Sequence, residues 1–343
     1  MIRPFMLAFA ALWLAAPLAA AEPAKPLFAA DEPIRITIRG PVDTIARAPE
    51  ESRQSYPGTV TVGGTAEALP VQLAQRGITR RKSDVCQFPP LRVTFTSPPP
   101  AGSLFAGQRR LKLVTHCRAS EAFQQYVLME YATYRLYNQL TPMSVRARLA
   151  KIDYVSDGGA PIVSRIGFFL EDIGDVARRN GLREAKMGQR FPVANLSAVD
   201  SGRVGVFQYM IGNLDWAMQA GPPGDNCCHN TMPIGPAAGG LVPVPYDWDF
   251  SGLVDAPYAT PPDGVNVSSV RQRRYRGFCR HNNEARAAIA AVRAQQGPLL
   301  ATFAAVPGLD PKTAKKATAY LGNFFADIAS DSSVETKLIK TCL

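Results

Sequence analysis

Residues 110–115 read Arg-Leu-Lys-Leu-Val-Thr. Five positions later, residues 120–139 read Ser-Glu-Ala-Phe-Gln-Gln-Tyr-Val-Leu-Met-Glu-Tyr-Ala-Thr-Tyr-Arg-Leu-Tyr-Asn-Gln. The first stretch alternates polar and apolar side chains, the period of a half-buried strand. The second holds no Gly or Pro, starts on a capping serine, and repeats Phe123, Val127, Leu128, Tyr131, Tyr134 and Leu136 at helical spacing. Pro142 ends it. The chain therefore changes from strand to helix between Thr115 and Ser120, and the fold is read outward from that change.

Upstream, residues 33–39, 58–62, 69–74 and 91–95 are short alternating runs separated by turn residues such as Gly63-Gly64 and Pro98-Pro99-Pro100. Residues 30–116 are thus expected to form a twisted antiparallel sheet. Downstream, 147–155 and 162–170 are strand-like, with Asp157-Gly158-Gly159 as the turn between them. Helical patterns then dominate at 172–180, parts of 197–219, 282–296 and 311–328. The Pro/Gly-rich stretches 221–245 and 256–266 read as loops. Strands first and helices after is an α+β order, with a small β-rich N-terminal lobe at 22–170 and a larger, mainly helical C-terminal lobe at 171–343.

The N-terminus has the three parts of a secretory signal: Arg3, an apolar run from Phe5 to about Ala20, and Ala19-Ala20-Ala21. Residues 1–21 are expected to be removed, leaving a mature protein that is periplasmic or secreted and has no membrane span. The six cysteines, Cys86, Cys117, Cys227, Cys228, Cys279 and Cys342, fit disulfides in that setting. Cys86 is expected to pair with Cys117, and the other four within the second half. The formal net charge of +10 suits acidic or phosphorylated ligands as well as plain solubility. No zinc finger or basic–aromatic motif points to nucleic acid.

The densest polar constellation lies between 212 and 252. It comprises Gly212-Asn213-Leu214-Asp215-Trp216, then His229-Asn230, then Pro245-Tyr246-Asp247-Trp248-Asp249-Phe250. Carboxylates inside an apolar run are costly unless paired or bound to a metal. Phosphoryl transfer uses such groups: one Asp to orient the attacking hydroxyl, and an Asn with a second Asp to hold Mg²⁺. A helix cap at Asp215 and a buried ion pair at Asp247 explain the same residues without chemistry. The three histidines form no His-Glu-x-x-His motif and read as structural. No Gly-x-Ser-x-Gly is present, which argues against an α/β-hydrolase.

Residues of about 55 to 255 resemble the CotH family of spore-coat-type atypical kinases, and more distantly the HipA-like kinases. The resemblance rests on Arg76-Gly77-Ile78-Thr79-Arg80-Arg81, Lys82-Ser83 with Leu91 to Phe95, Phe105 to Val114, Leu128 to Tyr137, and the three segments just quoted. It implies an atypical protein-kinase-like fold and an ATP- and Mg²⁺-dependent enzyme, with Mn²⁺ as an alternative ion. The substrate would be a Ser/Thr-bearing envelope or secreted protein. It makes Asp215 the catalytic aspartate and Asn230, Asp247 and Asp249 the metal-binding positions. Glu130 would pair with the basic residue that holds the phosphates, either Arg92 or Lys112. The chain departs from the family in its long Asp215–Asp247 spacing and in lacking a clear glycine-rich phosphate loop. These departures leave a catalytically inactive binding or structural protein as the alternative, with a metal-dependent hydrolase a more distant one.

Overall fold

A computed structural model describes residues 21–343; the expected signal segment lies, but for Ala21, outside the described residues. The strands begin close to where the alternation places them: β1 (Ile34–Arg39), a short helix α1 (Val42–Arg47), then β2 (Tyr56–Val62), β3 (Ala68–Gln75), β4 (Leu91–Phe95) and β5 (Arg110–Val114). The long helix α2 (Gln124–Leu140) follows, then the hairpin of β6 (Ala147–Val155) and β7 (Pro161–Leu170).

The assembly of these strands corrects the expected fold class. They do not make an open antiparallel sheet in a small kinase-like lobe beside a helical one. They close into a seven-stranded mixed barrel in the order β1-β2-β3-β4-β5-β7-β6. Closure depends on β1 pairing in parallel with β6, Ile34 opposite Ala150 through Arg39 opposite Val155. The first strand and the hairpin after α2 each present an unpaired edge, and joining them removes both edges. Gly167 allows the β5–β7 contact, since a Cβ there would lie 2.5 Å from the carbonyl oxygen of Val114. Inward side chains such as Ile36, Ile38, Val60, Val93, Leu113 and Phe169 fill the barrel at 0–1% exposure.

The remaining elements are α3 (Ile173–Arg179), α4 (Ala198–Ile211), β8 (Thr231–Ile234), β9 (Val242–Pro245), α5 (Asn282–Ala294), α6 (Gln296–Ala301), α7 (Pro311–Asp327) and α8 (Asp331–Lys337). A second core joins α2, α4, α5 and α7 and includes the fully buried Trp248. The stretch 221–245, expected to be loop, contains the two-stranded β8–β9 sheet. Pro233, Pro243 and Pro245 disguise it; a two-stranded sheet tolerates proline because each strand has a free edge.

Three disulfides link Cys86 to Cys117, Cys227 to Cys228, and Cys279 to Cys342, as expected for the first pair and for pairing within the second half. Among the described residues, no helix is long and apolar enough to cross a membrane.

Candidate active site

Asp215, Asn230 and Asp247, from three chain segments, meet in a cleft of about 540 Å³ whose lining also includes Lys112, Arg76 and His229. Helix α4 delivers Asp215. It ends at Gly212, whose φ of +63° is the left-handed conformation that favours glycine, and a Cβ there would collide with Tyr320 Oη. Asn213, buried just after, anchors the turn: its Oδ1 accepts from the Asp215 backbone N–H at 3.1 Å, and its carbonyl accepts from Trp216 Nε1 at 2.9 Å. Arg276 donates to the Leu214 carbonyl from the outside.

The β8–β9 ladder brings the other two together. Thr231 lies opposite Pro245, so Asn230 and Tyr246 are neighbours at the sheet end, and the Tyr246 N–H donates to the Asn230 carbonyl at 3.0 Å. Asn230 Nδ2 then donates to the Asp215 carbonyl at 2.7 Å and to its Oδ2 at 3.0 Å. Asn230 and Asp247 both have positive φ, +50° and +64°. Such backbone costs about 1–3 kcal/mol per residue and clusters at functional sites. The Asp247 N–H is held by Tyr134 Oη at 3.0 Å, and Trp248 packs on Tyr134 at a centroid distance of 4.4 Å.

The sequence alone points to a structural role for His229, yet its Nε2 lies 2.6 Å from Asp215 Oδ1. An ionised carboxylate only accepts, so Nε2 carries the hydrogen. This hydrogen bond raises the His229 pKa above the ordinary histidine value, against partial burial. The signal available in the sequence was its position directly before Asn230.

Behind the cleft, Glu130, Asp247 and Asp249 bring carboxylate oxygens within 4.8 Å of one another. Arg80 occupies their midst. Its Nη1 is 2.8 Å from Glu130, Nη2 is 3.0 Å from Asp247 Oδ1, and Nε is 3.3 Å from Asp249 Oδ2. Burial raises the Glu130 carboxyl and pushes Asp249 up to about 8, with Arg80 opposing both shifts. Burial alone would lower the Arg80 guanidinium; Asp249 and Glu130 overcome it and hold Arg80 well above its ordinary value. One guanidinium thus serves three carboxyls, and the network favours a proton on one of them.

The expected site residues divide accordingly. Asp215, Asn230, Asp247 and Lys112 face the same cleft. Asp249 also borders it, but Oδ2 is committed to Arg80 and to Tyr258 Oη at 2.9 Å. Glu130 pairs with Arg80, not with Arg92 or Lys112. Arg92 sits opposite Lys112 across β4–β5, is exposed, and does not line the cleft. Lys112 is exposed and lines the cleft. Its Nζ lies 4.9 Å from the centroid of the Tyr246 ring, and desolvation, with Arg76 adding repulsion, lowers its pKa to about 8. No pattern in the sequence singles out Arg76 or Arg80; their place at the cleft comes from the turn after β3.

The donor set suits a hard cation such as Mg²⁺ on the cleft side of Asp247. Asp247 gives Oδ1 to Arg80, leaving Oδ2 without a hydrogen-bond partner among the described residues; Asn230 turns its amide nitrogen to Asp215, leaving its amide oxygen likewise without one. All are oxygen ligands. The centre of the Glu130–Asp247–Asp249 trio does not suit a metal while Arg80 stands in it. No family model matches the chain, and no curated protein matches it in sequence.

Proposed function

We propose that the cleft binds ATP with Mg²⁺ and transfers the terminal phosphoryl group to a Ser or Thr hydroxyl of an envelope or secreted protein. The observation that carries this reading is the meeting of Asp215, Asn230 and Asp247 in one cleft beside the Lys112 ammonium. Nothing in their spacing along the chain requires it. The cysteine pairs and the signal-like N-terminus support a periplasmic or secreted location.

In this reading Asp215 orients the hydroxyl and takes its proton. His229 fixes one carboxylate oxygen of Asp215 and Asn230 the other, so the carboxylate is held before substrate arrives. Mg²⁺ held by Asp247 and Asn230 would neutralise charge on the phosphates. Lys112 supplies a fixed positive charge to the phosphate end, and Arg80 holds Asp247 from behind.

A second reading is a nucleotide-binding envelope protein without turnover. It is favoured by Arg80, which already satisfies the most acidic part of the site. Incubation of the mature protein with γ-labelled ATP and Mg²⁺ or Mn²⁺ separates the two. Transfer predicts protein labelling that Asp215→Ala and Asp247→Ala abolish. Labelling unchanged in both variants refutes the residue roles, and ATP binding without labelling selects the second reading.

A further inference from the structure

Arg76 follows β3 and is held by its backbone N–H donating to the Pro90 carbonyl at 2.9 Å. Its side chain borders the cleft, yet among the described residues its guanidinium makes no hydrogen bond and no ion pair. Nη1 is sealed from solvent and has no partner. An orphaned buried donor is costly, and a buried cation without a counter-charge more so. Lys112 is exposed rather than sealed, but it too lacks a counter-charge. It lines the same cleft, forms no ion pair among the described residues, and lies near enough to Arg76 for each to repel the other.

The charged groups around the pair do not relieve it. Asp247 attracts both cations, but its Oδ1 is taken by Arg80, itself a third positive charge acting on Arg76. Asp172 attracts Lys112 from a distance, while its Oδ1 caps α3 through the Gly174 N–H; Arg110 repels Lys112. Glu130 is turned to Arg80. Of the other carboxylates lining the cavity, Asp215 is held by His229 and Asn230 and Asp249 by Arg80 and Tyr258, so that Arg76 and Lys112 have no ion-pair partner among the described residues although Asp225 and Asp247 also border the cleft.

We infer that Arg76 and Lys112 form an anion subsite for the phosphate chain of a polyphosphate, with Arg76 as a ligand that recognises phosphate oxygens. A guanidinium presents paired donors in a planar fork that matches two oxygens of one phosphate, while the Lys112 ammonium acts as a point charge. The Tyr246 ring, under Lys112, keeps that charge at the cleft wall. The assignment rests on the phosphotransfer reading for the identity of the ligand, but not for the existence of the subsite.

The test is calorimetric titration of the full mature chain in EDTA, so that the cations are read without a metal. The probes are inorganic tripolyphosphate, ATP, inorganic phosphate and adenosine. Tripolyphosphate and ATP are expected to bind and adenosine not to. Arg76→Gln is expected to weaken both by at least tenfold on the order expected for a lost charge-assisted phosphate contact, with Arg76→Lys between the two. Should Arg76→Gln fail to fold, Arg76→Lys carries the test. Tripolyphosphate affinity unchanged in the Arg76 variants, no binding of tripolyphosphate by the wild type, or adenosine binding as well as ATP overturns the subsite. Inorganic phosphate binding as tightly as tripolyphosphate assigns the pair to a single phosphate and overturns the polyphosphate. Absence of phosphoryl transfer with Arg76-dependent binding intact sinks the phosphotransfer reading and leaves the subsite standing.

Discussion

The barrel interior and the charged cluster at the cleft are held by opposite means. Inside the barrel, side chains such as Ile38, Val93 and Phe169 pack with no directional partner, and each strand contributes every second residue. At the cleft, Arg80 binds Glu130, Asp247 and Asp249, drawn from α2 and the segment after β9, while Arg76 and Lys112 have no ion partner among the described residues. The first arrangement gains stability from removing apolar area from water. The second gathers charges that cost stability unless each finds its complement, and its remaining imbalance is the feature that fits a ligand.

Truncating one member of each region is the strongest way to break this contrast. Phe169→Ala removes a fully buried ring and is expected to destabilise by about 3–5 kcal/mol, nearly independently of pH. Arg80→Ala leaves three carboxyls without their shared cation and is expected to cost about 3–5 kcal/mol at neutral pH. Without Arg80, burial and mutual repulsion raise the folded-state carboxyl pKa values further, so the folded state binds more protons than the unfolded one and stability falls as pH rises. The deficit of Arg80→Ala should therefore be smaller at pH 5 than at pH 8. Denaturant midpoints at the two pH values check both; a pH-independent deficit for Arg80→Ala contradicts the charge account.

A smaller effect is expected at His116, at the barrel margin. It lies between Phe88 and Tyr154, and burial, with Arg165 adding repulsion, lowers its pKa to about 4. The unfolded chain binds the proton first as pH falls. The neutral ring therefore costs nothing above about pH 6.5, and stability is lost progressively down to about pH 4, by about 3 kcal/mol in all. His116→Asn should flatten the stability profile across that window, read by thermal unfolding against pH. The smallest effect sharpens the border between the regions. Asp172 caps α3 through the Gly174 N–H at 3.0 Å, and Asp172→Ala is expected to cost about 1 kcal/mol in the same assay.

The same contrast explains what the sequence made legible. Period-two alternation placed the barrel strands within a residue or two, because each strand shows one face to the core, and the period of 120–139 placed α2. Closure was not legible: the β1–β6 pairing joins segments more than a hundred residues apart, and no local pattern in Ile34–Arg39 distinguishes a sheet edge from a barrel seam. Asp215, Asn230 and Asp247 stood out because carboxylates interrupt an apolar run. Their meeting depended on the proline-masked β8–β9 ladder, which read as loop. Arg76 and Arg80 left no signal beyond their charge. His229 belongs to no histidine motif, and its partner Asp215 lies in another segment.

The central claim is that Asp247 and the cations across the cleft form one metal–phosphate site. Electron paramagnetic resonance of Mn²⁺ with tripolyphosphate tests it most directly, comparing the mature wild type with Asp247→Asn. Tripolyphosphate is expected to tighten Mn²⁺ binding by the wild type, and Asp247→Asn to remove at least about tenfold of that affinity, as the loss of a charged oxygen ligand requires. Equal Mn²⁺ affinity in the two proteins, with tripolyphosphate present, contradicts the account.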